Sequence, residues 1–354
     1  NTFCLLDDVS RPVVPFLSWQ DRRASREAAY LNRRMKAGFH RHCSWPYVFP
    51  ALQAAMVLWL RRHQPRDVRK ARALVSLPGY LAFRLGAPNA MDANLAAMGG
   101  LYSLKQGGWW KNMLAVCGLD EECLPLIAPL GRPFATIGPS RDLALSDGVR
   151  VILAGNDQTA GAVGSSCTRQ NLLVTLGTAL VVYRVMGRKP GPYTAAGCWG
   201  PYPGGGFYEL ATRNEGCAAQ DWARGVLTPK KDVRRFTELA TRAKARRRER
   251  AQCESEALFY PEAMNTARAW RGSADPAERA LAVMEGIGFS LKQLIQDELR
   301  PSSWPSEILV TGGGSRDVLW LQILADILDT RVVQSKGDTL LGAARMACGR
   351  TTQP

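Results

Sequence analysis

Three short apolar runs in this chain each break into a glycine-bearing turn, and that repeated break constrains the fold more than any other feature. Val149-Arg150-Val151-Ile152-Leu153-Ala154-Gly155 leads into Asn156-Asp157-Gln158, Leu172-Leu173-Val174-Thr175-Leu176 into Gly177-Thr178, and Ile308-Leu309-Val310-Thr311 into Gly312-Gly313-Gly314-Ser315. Runs of this length and apolarity read as buried strands. Open α/β sheets bind ligands at the carboxyl ends of their strands, so the chain is expected to be α/β with its chemistry on these turns.

The residue types on the turns suit phosphoryl transfer. Asp157 would present a carboxylate to an alcohol, and the Gly177-Thr178 turn can offer N–H groups and a hydroxyl to phosphate oxygens. The glycine triplet lets a flat ligand such as a purine lie against backbone with no Cβ in the way. Each element also has a plainer reading: an Asp after a strand serves as a helix N-cap or turn former, and a lone Gly-Thr is a common turn.

The order of motifs resembles the FGGY carbohydrate kinases, a family that includes xylulokinases, glycerol kinases, ribulokinases and sedoheptulokinases. Leu5-Leu6-Asp7-Asp8 and Trp19-Gln20-Asp21-Arg22-Arg23-Ala24 are similar to the family's strand and its W-x-D-x-R-A segment. Leu77-Pro78-Gly79-Tyr80-Leu81 resembles its D-Y-L stretch, with Gly79 where an Asp is common. Gly155-Asn156-Asp157-Gln158 matches G-x-x-D-Q, Gly177-Thr178-Ala179 the phosphate loop, and Glu285-Gly286 the E-G of a late helix. Gly312-Gly313-Gly314 with Trp320, Gln322, Ala325 and Asp326 matches the adenosine motif, and Leu341-Gly342-Ala343-Ala344 the L-G-A-A helix start.

The resemblance implies a two-domain actin-like ATPase (ribonuclease H-like) α/β fold, with ATP and Mg2+ as cofactors and a ketose or polyol as acceptor. It implies Asp157 as general base, Gln158 as a partner of neighbouring hydroxyls, and Trp19, Gln20 and Asp21 on the sugar side. Plain core packing is the other reading of Trp19. Gly177 and Thr178 would hold the β- and γ-phosphates, Gly312, Gly313 and Gly314 would admit the adenosine, and Gly216 would line the same crevice. Asp317 stands where Ser or Asn is usual and can accept from the adenine amine but not donate to a ring nitrogen.

Family members open with an Asp-x-Gly-Thr loop, and none occurs in these 354 residues. The first domain is therefore expected to be incomplete at its N-terminus, the chain opening on Asn1 rather than Met being a fragment, and catalysis by it alone absent or very slow. One sheet face and one strand edge are expected to lie bare, with aggregation or chaperone binding as the consequence and the part beyond 148 better folded. A non-catalytic descendant that binds nucleotide or sugar is the alternative.

Composition removes several function classes. The hydrophobic fraction of 46% over 354 residues suffices for two cores, and no apolar run is long enough to span a membrane, so a soluble protein is expected. Cys4, Cys43, Cys117, Cys123, Cys167, Cys198, Cys217, Cys253 and Cys348 show no metal-ligand spacing and suit the reduced thiols of a cytoplasm. His40, His42 and His63 are the only histidines; His40 and His42 beside Cys43 form the one cluster, and no metal site is expected. The net charge of +15 raises nucleic-acid binding as a rival, carried by Lys244-Ala245-Arg246-Arg247-Arg248-Glu249-Arg250 and by Arg61, Arg62 and Arg72. No aromatics interleave the first run, so a solvated helix over 237–256 is the stronger reading. Sugar and ATP are thus the expected partners, with no nucleic acid and no membrane, and a homodimer is the assembly considered.

Two domains are expected, 1–148 for the sugar and 149–354 for the nucleotide. The first should hold an edge strand, helices over 21–35, 49–62 and 109–117 and a segment over 75–85. A Pro/Gly-rich connector should cover 124–133. The second should carry a helix over 284–299 and a tight loop at 200–206 between strands, with no helix start to make it a phosphate cradle. No internal repeat is evident.

Overall fold

A computed structural model describes residues 2–35, 38–140, 143–249 and 256–350. The chain forms two compact units. One comprises Asn1–Gly164, Val185–Glu209 and Thr339–Pro354, the other Ser165–Arg184 and Leu210–Asp338. The chain thus crosses between units several times, whereas a single cut at 148 was expected.

In the first unit the strand Phe3–Leu6 pairs antiparallel with Ala73–Ser76. Alternation sends Phe3 and Leu5 to one cluster, with Leu31, Leu52 and Met56, and Cys4 and Leu6 to another with Val75. Both faces are therefore covered, and bridges from Phe3 to Leu17 and from Leu6 to Pro12 occupy the outer edge. The bare face expected from the sequence is not found on this pair, whereas the second edge of Ala73–Ser76 has no strand partner among the described residues. The helix Gln53–His63 buries almost every side around its axis, because Ala54, Ala55, Met56, Val57 and Leu58 are consecutive and apolar. The helices Ser25–Met35 and Lys111–Cys117 start later than 21 and 109.

The expected connector at 124–133 contains a strand, Leu126–Ala128, which pairs parallel with Ala90–Asp92. Val149–Ile152 pairs antiparallel with Pro133–Ile137 rather than joining a wider parallel sheet. The turn that follows takes Gly155 to a φ of +72° and opens the helix Asp157–Gly164. Small residues on that helix allow very close packing against the helix Thr339–Ala347: a Cβ on Gly342 would fall 1.7 Å from the Ala160 carbonyl oxygen. The strands Cys198–Tyr202 and Gly206–Arg213 flank a tight turn, as the glycines at 204 and 205 led one to expect.

The second unit is built on a sheet in which Leu180–Met186, Asn171–Leu176, Glu307–Thr311 and Arg331–Gln334 are successive neighbours. Asn171–Leu176 and Glu307–Thr311 run parallel, with Thr175 opposite Thr311. Leu172, Val174, Leu176, Ile308 and Val310 share one face and pack on the helix Pro276–Gln293. That helix begins where Asp275 accepts the Ala277 N–H (3.1 Å) ahead of Pro276, and a π-helical turn, Leu294–Leu299, extends it to the end expected from the sequence.

The basic run lies on the helix Val233–Glu249 and is not simply solvated. Arg247 is buried, its Nε and Nη2 donating to Glu278 (2.9 and 2.6 Å) and its Nη1 to Glu285 (3.0 Å). Lys244 reaches Asp326 and Arg246 reaches Asp275. These contacts turn much of the positive charge into ion pairs within the unit, leaving less of it for a polyanion. Arg250 and Cys253 lie outside the described residues.

Candidate functional site

Two groups of site residues emerge, one in each unit. In the second unit, register decides the matter. Because Asn171–Leu176 and Glu307–Thr311 are adjacent and parallel, the turns that leave them, Gly177-Thr178 and Gly312-Gly313-Gly314, lie side by side at the carboxyl edge of the sheet. They open on a cavity of about 1170 Å³. Its remaining walls are one face of the helix Cys217–Leu227, through Cys217, Gln220 and Arg224, and one face of Val233–Glu249, through Thr237, Thr241 and Arg242.

The first turn is fastened to the helix beside it. The Cys217 N–H donates to the Gly177 carbonyl (2.7 Å) and the Ala218 N–H to that of Thr178 (3.2 Å). The Gly177 N–H is itself turned to the Ala179 carbonyl (3.2 Å), while Thr178 is exposed and lines the cavity. Gly216 acts by contact: a Cβ there would lie 2.7 Å from Ala179 C and Leu180 N. It holds the helix against the turn, and the neighbouring Cys217, rather than Gly216, lines the cavity.

The glycine triplet divides into three different requirements. Gly312 has a φ of +91°, and a Cβ on it would meet the Leu176 oxygen at 2.5 Å. Gly314 sits against Trp320, whose ring a Cβ would approach to 2.7 Å. Gly313 and Gly314 both line the cavity, and of the three only Gly313 has nothing within 4 Å of its Cβ position. Asp317 caps the helix Val318–Leu328, one oxygen accepting the Trp320 N–H (3.2 Å) and the other the Thr237 hydroxyl (2.9 Å). Both donors fix it as an acceptor at the cavity wall.

In the first unit, Asp157 is the first residue of its helix, exposed, with one carboxylate oxygen accepting the Gln158 N–H (2.8 Å). The turn before it is held by buried polar groups. Gly155 N–H donates to Asp92 Oδ2 (3.1 Å), and Asn156 donates through N–H and Nδ2 to Asn94 Oδ1 (2.9 and 2.8 Å). Asn94 Nδ2 donates in turn to Thr159 Oγ1 (2.9 Å) and the Pro201 carbonyl (2.8 Å). Burial raises the Asp92 carboxyl above the usual range, opposed by the N–H groups of Leu95 and Gly155. Sequence reasoning missed Asp92 and Asn94; the only signal was an Asp placed to cap the helix Ala93–Met98.

Trp19 is 60% exposed, which removes the core-packing reading and leaves its indole available at the surface. Gln20 is also exposed. Asp21 is engaged by Arg23, whose Nε lies 2.8 Å from its carboxylate. Slight burial raises the Asp21 carboxyl, but the Arg23 N–H, guanidinium hydrogen bond and charge outweigh that and hold it below the usual range.

His40 Nε2 pairs with the Gly197 carbonyl (2.8 Å) and His42 Nδ1 with Ser103 Oγ (2.7 Å), while the His42 ring stacks on Trp110 at 4.3 Å. Burial lowers both imidazoles from their ordinary value. Among the described residues no three His, Cys, Asp or Glu side chains are grouped to hold a metal, and no helix is long and apolar enough to cross a membrane.

Comparison with known proteins bears on the family and the fold. The family model for the FGGY family of carbohydrate kinases, N-terminal domain, matches residues 1–164, and that for the C-terminal domain matches 172–349. A xylulose kinase from Escherichia coli (strain K12) is 27% identical over 365 residues, covering 97% of this chain and 72% of that protein. An L-fuculokinase from Salmonella typhi is 24% identical over 357 residues, covering 96% and 73%. The crystal structure of a ligand-bound xylulose kinase from Lactobacillus acidophilus superposes with a TM-score of 0.82 at 22% identity, over 98% of this chain and 74% of that one. The two-domain α/β fold implied by the sequence motifs is thus the fold found.

Proposed function

This chain belongs to the FGGY family of carbohydrate kinases, and from that premise we propose that it transfers the γ-phosphoryl group of ATP to a hydroxyl of a ketose or polyol. The observation that carries the reading is the pair of glycine-broken turns on adjacent parallel strands, opening on one cavity large enough for a nucleotide. Gly313 supplies backbone against which a purine can lie, and Asp317 an acceptor for its amine. Thr178 supplies an N–H and a hydroxyl for phosphate oxygens, stabilising charge on the migrating group.

Asp157 is the general base of this proposal. As the sugar oxygen attacks phosphorus in line, the bond from phosphorus to the β-phosphate oxygen breaks, ADP leaves, and the hydroxyl proton passes to the Asp157 carboxylate. Gln158 fixes neighbouring hydroxyls, and Trp19, Gln20 and Asp21 shape the sugar side. Mg2+ would be held mainly by the ATP phosphates, with one or two oxygens from protein, and would offset the phosphate charge. The family relatives named above act on xylulose and fuculose, which makes a ketose the first acceptor to try. Turnover by these 354 residues alone is proposed to be slow, since they contain no Asp-x-Gly-Thr turn to share the phosphate charge.

ADP release from MgATP, measured with xylulose, fuculose and glycerol in wild type and Asp157→Ala, tests this. Release that depends on one sugar and vanishes in the variant supports the kinase and its base. ATP binding without release on any sugar, also when an Asp-x-Gly-Thr strand is supplied, would mean a nucleotide-binding protein without catalysis.

A further inference from the structure

The turn that carries Asp157 is attached to the rest of its unit by side chains to which no role has been given. Asp92 and Asn94 are buried, at 1% and 0% exposure, where the strand Ala90–Asp92 meets the helix Ala93–Met98. Asp92 divides its two oxygens: Oδ1 accepts the Leu95 N–H (2.9 Å) and caps its own helix, while Oδ2 accepts the Gly155 N–H (3.1 Å). Asn94 takes the backbone and side-chain N–H groups of Asn156 on one oxygen, and its amide nitrogen is aimed at Thr159 and Pro201. Both backbone N–H groups immediately before Asp157 are therefore held by two buried side chains distant in sequence.

The fit is close in the other direction too. Gly155 has a φ of +72°, and a Cβ there would lie 3.0 Å from Asn94 Cγ. Asn156 completes the cluster by accepting the Thr159 N–H on Oδ1 (2.8 Å), which caps the helix that Asp157 opens. A turn fixed at both amides and at the following helix start has little freedom to tilt.

We infer that Asp92 and Asn94 are positioning residues for Asp157, holding the 155–156 backbone so that the carboxylate keeps one direction through the reaction. The inference rests on the proposed base role of Asp157. A misplacement of about 1 Å at a reacting group costs on the order of 100-fold in rate, so a support of this kind acts on kcat.

Two variants separate positioning from folding. Asp92→Asn retains an oxygen for the Leu95 N–H, since Asn caps helices about as well as Asp, but turns an NH2 toward the Gly155 N–H. Asn94→Ala removes the acceptor for Asn156 altogether. In the 354-residue protein the expected results are a loss of hydrogen-exchange protection at Gly155 and Asn156 of about tenfold or more. With xylulose and MgATP, the slow kcat of these residues, or the kcat restored when an Asp-x-Gly-Thr strand is supplied, should fall about 10- to 100-fold while KM for ATP stays unchanged. Asn94→Asp, which keeps an acceptor for the Asn156 N–H, should recover part of the loss.

The exchange readout needs no turnover, and thermal melting reports any loss of fold. Unchanged protection at 155–156 overturns the inference, as does wild-type kcat in both variants when Asp157→Ala is inactive. Wild-type turnover in Asp157→Ala would refute the base assignment itself, and with it the positioning role. That failure is seen in the Asp157 variant alone, so the two cannot be confused.

Discussion

Alanine placed in turn at Gly312 and Gly313 should separate what the fold requires of the triplet from what a nucleotide requires. At Gly312 a φ of +91° with ψ near −179° lies where side chains are hardly found, a strain of about 1–3 kcal/mol. The added Cβ would also meet the Leu176 oxygen at 2.5 Å and its carbon at 2.8 Å, so two backbones must part, at about 1–3 kcal/mol more. A total near 4 kcal/mol predicts a fall of about 12 °C in the melting temperature of a unit this size. Gly313→Ala meets nothing within 4 Å and has an ordinary φ, so its melting temperature should be unchanged or raised slightly, by about 0.4–1 kcal/mol of lost unfolded-state entropy. Its methyl instead enters the space assigned to the nucleotide, and ATP should bind about tenfold more weakly, ~1.4 kcal/mol. Differential scanning fluorimetry and ATP titration calorimetry read the two quantities. Equal destabilisation by both variants, or undiminished ATP affinity in Gly313→Ala, refutes the reasoning.

Gly342→Ala should destabilise the first unit by more than the ~1–3 kcal/mol usual for overpacking, because the new Cβ would overlap the Ala160 carbonyl at 1.7 Å; a melting curve like wild type would refute that packing. Cys217 lines the cavity proposed for the nucleotide, so saturating ATP should slow its alkylation while leaving the exposed Cys348 unaffected, as peptide mass spectrometry would show. Burial raises the Asp275 and Asp326 carboxyls, but the Ala277 N–H and Arg246 for the first, and Lys244 and Gln322 for the second, outweigh it and leave both below the usual range. Carboxylates lowered in this way stabilise the fold above their unfolded pKa, and that contribution is lost as pH falls through the folded value. The second unit should therefore weaken below about pH 4, and Asp275→Asn should flatten the dependence of melting temperature on pH; an unchanged slope would refute it.

Local pattern made some of this molecule legible. The strands Asn171–Leu176 and Glu307–Thr311 announce themselves because consecutive apolar residues suit a sheet buried on both faces, and each ends where glycine breaks the run. What the pattern did not contain was their adjacency. Parallel pairing joins residues more than a hundred positions apart, and only that register sets Gly177 beside Gly312. The cavity's other walls were silent for a related reason. Gln220, Thr237 and Thr241 lie on helix faces with no motif, and they matter because two helices turn those faces to the same space. The basic run over 244–250 looked solvated because its partners, Glu278, Glu285, Asp275 and Asp326, belong to other helices.

Glycine shows most clearly why a motif and its physical reason are different kinds of information. The letters Gly312-Gly313-Gly314 suggested a single purpose, admission of a flat ligand, yet two of the three serve the protein's own packing. Gly312 is required by a backbone conformation and by the Leu176 carbonyl, and Gly314 by the Trp320 ring. Of the three, only Gly313 has empty space at its Cβ position. The same holds for Gly216, whose missing side chain lets the Cys217–Leu227 helix press its first N–H groups onto the Gly177 and Thr178 carbonyls. That contact fixes the turn from behind and leaves Thr178 exposed on the cavity wall. In the first unit, Asp92 and Asn94 do for the Asp157 turn what Gly216 does for the Thr178 turn: the residue proposed to meet a ligand is exposed, and the turn that carries it is held by a buried neighbour. A mutational survey confined to the family motifs would miss those supports, and they are where a loss of rate without a loss of nucleotide affinity is to be sought.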